Sequence, residues 1–485
     1  MPLNRLILCV LLAIPSYLVK AATLELYVDS VTKQVYTEAG PNRVRLGVFQ
    51  QVEEQAPAAG GAAAPAVAAG STLSRSAPSS ATVPSPTDAK HAPAVVASST
   101  SPVASAPKPA EAKWYDKFGI RGYTQLRYNH ALDDELDGMA LHSDKSIGED
   151  QSLFIRRLRV ILSGDINDRM SLYLQPDFAV TPSGSSSQNL VQLRDAYLDF
   201  FFDRRKEFRL RVGQSKIPYG FENLQSSQNR LDLDRADAIN SCCKDERDLG
   251  AFFYWAPDHI RKLFKDLVAN GLKGSGDYGV LGFGIYNGQG ANRTERNDNF
   301  HYVARATWPW QFSNGQIFEA GIQAVTGRFV PTVEATGSLA KPKANAPANG
   351  FRDQRVGLSA VLYPQPFGLQ AEWNWGRGPE LSDDYSVIEE KSLNGGYVQA
   401  MYSYDSAWGH MMPFLRWQHF DGAMKFERNA PATNVDEFQL GLEWQFIPAL
   451  ELTTIYVMTD RTDVVNAPYA QYEGDLLRLQ LQWNY

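Results

Sequence analysis

From Phe118 to the end of the chain one pattern recurs: segments of about 10 residues in which polar and apolar side chains alternate, separated by clusters of Gly, Asn, Asp and Pro. The last segment is the clearest. Leu477, Leu479, Leu481, Trp483 and Tyr485 share one face, and Arg478, Gln480, Gln482 and Asn484 share the other. Period-two alternation defines a strand with two different surroundings. In a soluble sandwich the apolar face meets a core and the polar face meets bulk water. In an outer-membrane barrel the apolar face meets lipid and the polar face a wet lumen. A terminal aromatic on the apolar face is usual for bacterial outer-membrane barrels, and the barrel is the reading adopted.

Sixteen such segments can be placed: 118–130, 152–164, 170–180, 190–202, 206–216, 248–256, 277–287, 299–310, 316–328, 354–363, 368–377, 394–404, 412–427, 435–446, 450–460 and 476–485. An even number is expected of a single-chain barrel, and about 16–18 strands leave an aqueous channel; 14 or 18 strands are the neighbouring counts. The expected fold is all-β, a transmembrane antiparallel barrel of about 16 strands over 114–485. Composition agrees: 37 Gly, 10 Trp, 22 Tyr and 24 Phe in 485 residues suit packed strands, not a disordered chain. No uncharged apolar run reaches the ~18–20 residues of a helical span. With a net charge of −7 and no basic tail, no nucleic-acid partner is expected. Trp255, Trp308, Trp310, Trp373, Trp375, Trp417 and Trp444 are candidates for the aromatic girdles at the lipid–water interfaces.

The N-terminal quarter reads differently. Residues 1–21 have the build of a cleaved secretory signal, with Arg5, an apolar run from Leu6 to Ile14, and Val19-Lys20-Ala21 as the small-x-small site. Cys9 leaves with it, so the mature chain keeps only Cys242 and Cys243, too close in sequence for an unstrained bridge. They are expected to be an incidental pair. Residues 22–54 form a hairpin-like island, with alternation in Leu24–Val28 and Arg43–Leu46. From 55 to 113 the chain is Ala, Pro, Ser and Gly, a composition that cannot bury enough to offset its ordering entropy. As a coil it spans roughly 40–45 Å.

The polar phase of the early strands carries arginine: Arg121, Arg127, Arg157, Arg159, Arg209 and Arg211. On strands ~4.8 Å apart they would line one wall of the lumen, where a low-dielectric pore focuses their field and attracts anions. The competing reading pairs them with Asp177, Asp195 and Asp199 and leaves them holding the wall together. Residues 217–247 are the longest structured interruption, and either fold into the lumen and narrow it or form an external loop or subunit contact. Asp133, Asp134, Glu135 and Asp137 lie in the first long loop and are taken as solvated. Strand phase puts Arg194 with Ala196 and Leu198 on the outer face. No cofactor, metal ligand set or catalytic residue is expected: His-Glu-x-x-His and Gly-x-Ser-x-Gly patterns are absent.

Three stretches, Phe154–Arg159, Leu193–Tyr197 and Val212–Glu222, resemble the phosphate-selective porin O and P family over about 114–485. The resemblance implies a homotrimer of 16-stranded barrels in the bacterial outer membrane, set in its lipid, passing phosphate-like anions through an arginine-lined constriction. Arg156 and Arg157 match the family's paired arginines. Arg194, Asp195, Lys216, Glu222 and Asn223 fall in the motifs and are constriction candidates. Two positions depart from the phosphate-selective members: Asn223 stands where they carry lysine, and Arg194 where they carry an acid. The function expected is passive diffusion of small anions. The alternative is a structural barrel tethering the N-terminal segment to the cell wall or a partner.

Overall fold

A computed structural model describes residues 23–29, 35–36, 40–41, 43–50, 113–133, 136, 153–180 and 190–485. Residues 1–22, where a secretory signal is expected, the Ala/Pro/Ser-rich stretch up to residue 112, and Asp134, Glu135 and Asp137 lie outside the described residues. The chain divides into two compact units, 1–104 and 105–485. In the first, β1 (Thr23–Asp29) is the centre of a three-stranded antiparallel sheet, flanked by β2 (Val35–Tyr36) and β3 (Arg43–Gln50).

The second unit is a closed antiparallel barrel. Its early staves are β4 (Phe118–Ala131), β5 (Phe154–Asn167), β6 (Met170–Val180), β7 (Leu190–Phe201), β8 (Phe208–Lys216) and β9 (Arg247–Trp255). β10 (Leu281–Tyr286), β11 (His301–Gln311) and β12 (Ile317–Phe329) follow. β13 (Lys343–Ala344) is only a short parallel bridge from a loop onto Val387 and Ile388. β14 (Phe351–Leu362), β15 (Phe367–Leu381) and β16 (Val387–Tyr402) come next, with β17 (Tyr404–Ser406) completing the turn into β18 (Gly409–Ala423). β19 (Ala432–Ile447), β20 (Leu450–Thr462) and β21 (Gln471–Asn484) finish the wall. Without β13 and β17 there are sixteen staves, one for each expected segment. The structured strands run further than the alternation suggested at the loop ends of β15, β16 and β21.

Closure is made by β21 on β4, from Leu476 opposite Ala131 to Asn484 opposite Tyr123. No edge is left, as lipid demands, since an unpaired backbone N–H or C=O has no water there to bond. The packing is inverted relative to a soluble protein. Ile120 is 76% and Leu440 54% exposed, while Arg127, Arg416 and Gln482 are buried. The apolar phase thus faces outward along the wall. Trp308, Trp310, Trp375 and Trp417 belong to this outer surface.

Both ends of the barrel chain lie at one rim, where most connections are short turns, such as Asp168–Arg169 between β5 and β6. Short turns face the periplasm in such barrels, and long loops the outside. The connection 256–280 is the exception at the short-turn rim. It carries α3 (Asp258–Ala269), whose Ile260, Phe264 and Leu267 pack with Phe221, Ile317 and Tyr363.

Candidate functional site

The segment between β8 and β9 folds into the lumen. It leaves β8 through Ile217 and Pro218 and turns at Gly220, whose φ of +80° favours glycine. A Cβ there would sit 2.7 Å from Ile239 Cγ2. Two short helices follow, α1 (Phe221–Leu224) and α2 (Asp237–Asn240). The segment is held by the inward side chains of strands all around the wall. Glu372 on β15 accepts from Phe221 N (2.6 Å) and Glu222 N (2.7 Å). Arg355 on β14 donates to Ser241 Oγ (2.6 Å), and Gln418 on β18 accepts from Asp237 N (3.1 Å). Arg461 on β20 pairs with Asp237 at 2.8 Å. Gln125 on β4 and Gln482 on β21 donate to Ser227 O and Gln228 O. Cys242 and Cys243 are free and buried, packed with Ile217, Tyr219 and Phe252.

Each site residue named from the sequence can be placed. Arg159 pairs with Asp177 at 2.8 Å, and Arg211 grips Asp199 with two bonds of 2.8 and 2.9 Å. Arg209 lies 3.6 Å from Asp199 and from Asp277. These three hold wall carboxylates. Asp195 is taken by Arg247 at 2.9 Å. Lys216 donates to Leu224 O (2.9 Å) and Gln225 O (2.6 Å), closing the base of the lumenal segment. Glu222 pairs with Arg416 at 2.7 Å. Asn223 donates to Ile239 O at 3.2 Å, within the segment itself. Arg121 faces a cavity of about 270 Å³ below the segment, together with Tyr173, Tyr197, Lys216 and Tyr278.

Arg194 is a correction. It is buried inside the barrel, 2.7 Å from Asp245 and 3.5 Å from Asp177, not on the outer face. The reason is a β-bulge. On β6, Gln175 opposes Asp195 and the next residue, Pro176, opposes Leu193, so Arg194 has no partner there. An extra residue resets the phase, and two consecutive side chains can point the same way. Arg156 and Arg157 are aimed by the same device: Gln125 opposes Arg157 while Leu126 opposes Ile155.

These bulged arginines meet others at the tip of the lumenal segment. Arg127 donates to Leu233 O and to Asp234, each at 3.0 Å, and Arg230 donates to Leu233 O at 3.0 Å. Arg478 reaches Asp234 at 2.6 Å, with Arg156 at 3.7 Å and Arg157 at 3.8 Å. Burial alone would favour a neutral Asp234, but the surrounding guanidiniums, led by Arg127 and Arg478, hold its carboxyl well below the usual range. Arg157 and Arg230 are 4% and 5% exposed, and Arg157 Nε with Arg230 Nε and Nη1 have no hydrogen-bond partner. Buried donors of this kind are costly unless something accepts from them. Across the segment, Arg416 faces the carboxylates Glu222 and Asp232. From the sequence, Arg230 and Asp234 are only members of the 217–247 interruption, with no site role, because that segment has no period. Strand phase puts Arg478 on the lumenal face without marking it as a site residue.

A closed sixteen-stranded barrel with apolar outside, polar inside and a segment narrowing its lumen is a porin. The chain belongs to the phosphate-selective porin O and P family, whose model matches residues 125–485. No curated relative matches it. Among solved structures it is similar to the outer membrane channel DcaP of Acinetobacter baumannii, at 12% identity over 76% of this chain and 97% of that one, with a TM-score of 0.45. It is also similar to OmpF of Salmonella typhi, at 12% identity over 76% and 97%, with a TM-score of 0.47. The trimer form of OmpT of Vibrio cholerae matches at 9% identity over 76% and 99%, with a TM-score of 0.45.

Proposed function

We propose that this outer-membrane porin passes small anions, phosphate-like ones among them, by passive diffusion past the arginines beside the lumenal segment, and that it works as a homotrimer. One observation carries the reading: Arg127, Arg156, Arg157 and Arg478 all come within 4 Å of the Asp234 carboxylate, and Arg230 donates to Leu233 O beside it. Fixed positive charge in a narrow, low-dielectric passage raises the local anion concentration and repels cations. Arg159, Arg211 and Arg416 are each paired with an acid, whereas Arg157 and Arg230 bring buried guanidinium nitrogens without acceptors to this level. Asn223 supplies no ammonium and its amide is engaged with Ile239, which favours broad anion preference over a dedicated phosphate site.

The test is a planar-bilayer recording of the purified protein under a KCl gradient. A reversal potential on the chloride side is expected, and one on the potassium side would refute anion passage. A second role, contact with the cell wall through the N-terminal segment, is favoured by the separate sheet of β1, β2 and β3. Retention of the protein on peptidoglycan, lost when residues 23–50 are removed, is the outcome expected of it.

A further inference from the structure

The outer face of the wall carries a surface that the passage does not use. Across β10, β11, β12, β14 and β15 one register row reads Phe283, Ala304, Ala324, Val356 and Trp375, each directly opposite the next. Two alanines between large side chains leave a notch, and a groove of about 670 Å³ lies over it. Phe283 and Trp375, both exposed, stand at its two sides. Two residues nearer the outer rim, the row turns polar: Tyr302, Thr326, Gln354 and Arg377. Two residues further out, Arg328 is directly opposite Arg352. Arg377 stands one diagonal step from Arg352, on the neighbouring strand. Like charges directly opposite one another weaken a strand pair. Among the described residues, the carboxylate that reaches this group is Glu390, 3.7 Å from Arg352. Arg328 donates to Gly350 O at 3.0 Å, and Arg377 has neither an acceptor nor an acid among the described residues.

We propose that this face seats one phosphorylated glycolipid of the outer leaflet, with an acyl chain in the alanine notch and a phosphate on Arg328, Arg352 and Arg377. The order of the rows with depth carries the assignment. Moving outward they are apolar, then hydroxyl and amide, then guanidinium, which is the order of chain, sugar and phosphate in such a lipid. Guanidinium forks match phosphate oxygens, and a phosphate brings the counter-charge that Glu390 alone does not supply to three arginines. Charge on the lipid face is costly at mid-depth and tolerated near the interface, where these three stand. The site lies outside the lumen, so it stands or falls independently of anion passage.

The experiment titrates the full-length protein in detergent with diphosphoryl lipid A, or with the same lipid stripped of its phosphates, and counts bound lipid by native mass spectrometry. One tightly held diphosphoryl lipid per protomer is expected, with the stripped lipid bound at least about tenfold more weakly. Arg352→Gln combined with Arg377→Gln leaves the bond from Arg328 to Gly350 in place and should weaken diphosphoryl-lipid binding by a similar factor. Ala324→Trp fills the notch, keeps every charge and should do the same, with Ala304→Leu in its place if that variant does not assemble. Millimolar inorganic phosphate should leave the lipid bound. Equal affinity for the two lipids, unchanged binding in the double variant or the notch variant, or displacement by phosphate alone would overturn the proposal. So would cross-linking of one copy to another through Ala324→Cys, since the face would then belong to an interface between copies.

Discussion

At the scale of single residues, the lumenal arginines divide into two kinds that look alike in the sequence. Arg159, Arg209 and Arg211 are spent on Asp177, Asp199 and Asp277. Arg157 keeps one bond to Gln125, at 2.8 Å, and a distant approach to Asp234. Removing it takes a fixed charge from the passage without freeing a matched acid. A unit charge ~4 Å from an ion in water is worth ~1 kcal/mol, about fivefold, and acts with opposite sign on anion and cation, so Arg157→Ala should lower the anion-to-cation permeability ratio about 25-fold, read from reversal potentials. Arg211→Ala should instead lower stability, because it strands Asp199. Asn223→Lys is the natural attempt to restore the lysine of the phosphate-selective relatives. In this chain position 223 is buried and bonded to Ile239, so the ammonium would be forced into the segment's interior. The expected result is a loss of at least about 1–3 kcal/mol in urea unfolding with no deeper phosphate block.

At the scale of elements, strand phase and its interruptions decide what the lumen contains. Arg156 is the residue that no partner on β4 opposes. Deleting it should leave a barrel that still assembles, seen as heat-modifiable mobility in detergent, with weaker anion preference. Deleting Val160, which pairs with Gly122 inside the regular ladder, reverses the phase of Phe154–Arg159 and should abolish assembly. On β21, Leu479 faces outward between the inward Arg478 and Gln480. Leu479→Arg should cost ~2–4 kcal/mol if it lies at mid-depth of the bilayer. Arg478→Lys, which keeps a cation near Asp234, should be milder. The reverse order would put the strand one residue out of phase.

At the scale of the whole molecule, the wall and its filling are separable. The ladder runs unbroken through the sixteen staves and closes through β21 and β4, whereas the 217–246 segment is held by side chains. Replacing 217–246 by a short turn should leave a barrel that assembles, with larger conductance and reduced selectivity. Among the described residues, the ladder also involves nothing before Phe118. A chain lacking residues 23–112 but keeping residues 1–22 should still form heat-modifiable barrels, and its failure to assemble would show that the N-terminal unit takes part in folding the wall.

The sequence by itself determined the wall. A strand facing lipid on one side and water on the other must alternate, and a barrel in lipid can leave no edge, so sixteen alternating segments imply sixteen staves and a lumenal face. It also supplied the arginines of that face, through the same phase. What it could not supply was anything that breaks the period. The bulges at Arg156 and Arg194 each add one residue to a strand, and whether that residue points in or out depends on the neighbouring strand's register, which lies in another part of the chain. The course of 217–246 had no period to read; its path is fixed by partners such as Glu372, Arg416 and Arg478, between 150 and 244 residues away in the chain. Which arginines are matched and which face the passage follows from those long-range contacts, because charge pairing depends on distance in space, and only the tertiary structure sets it.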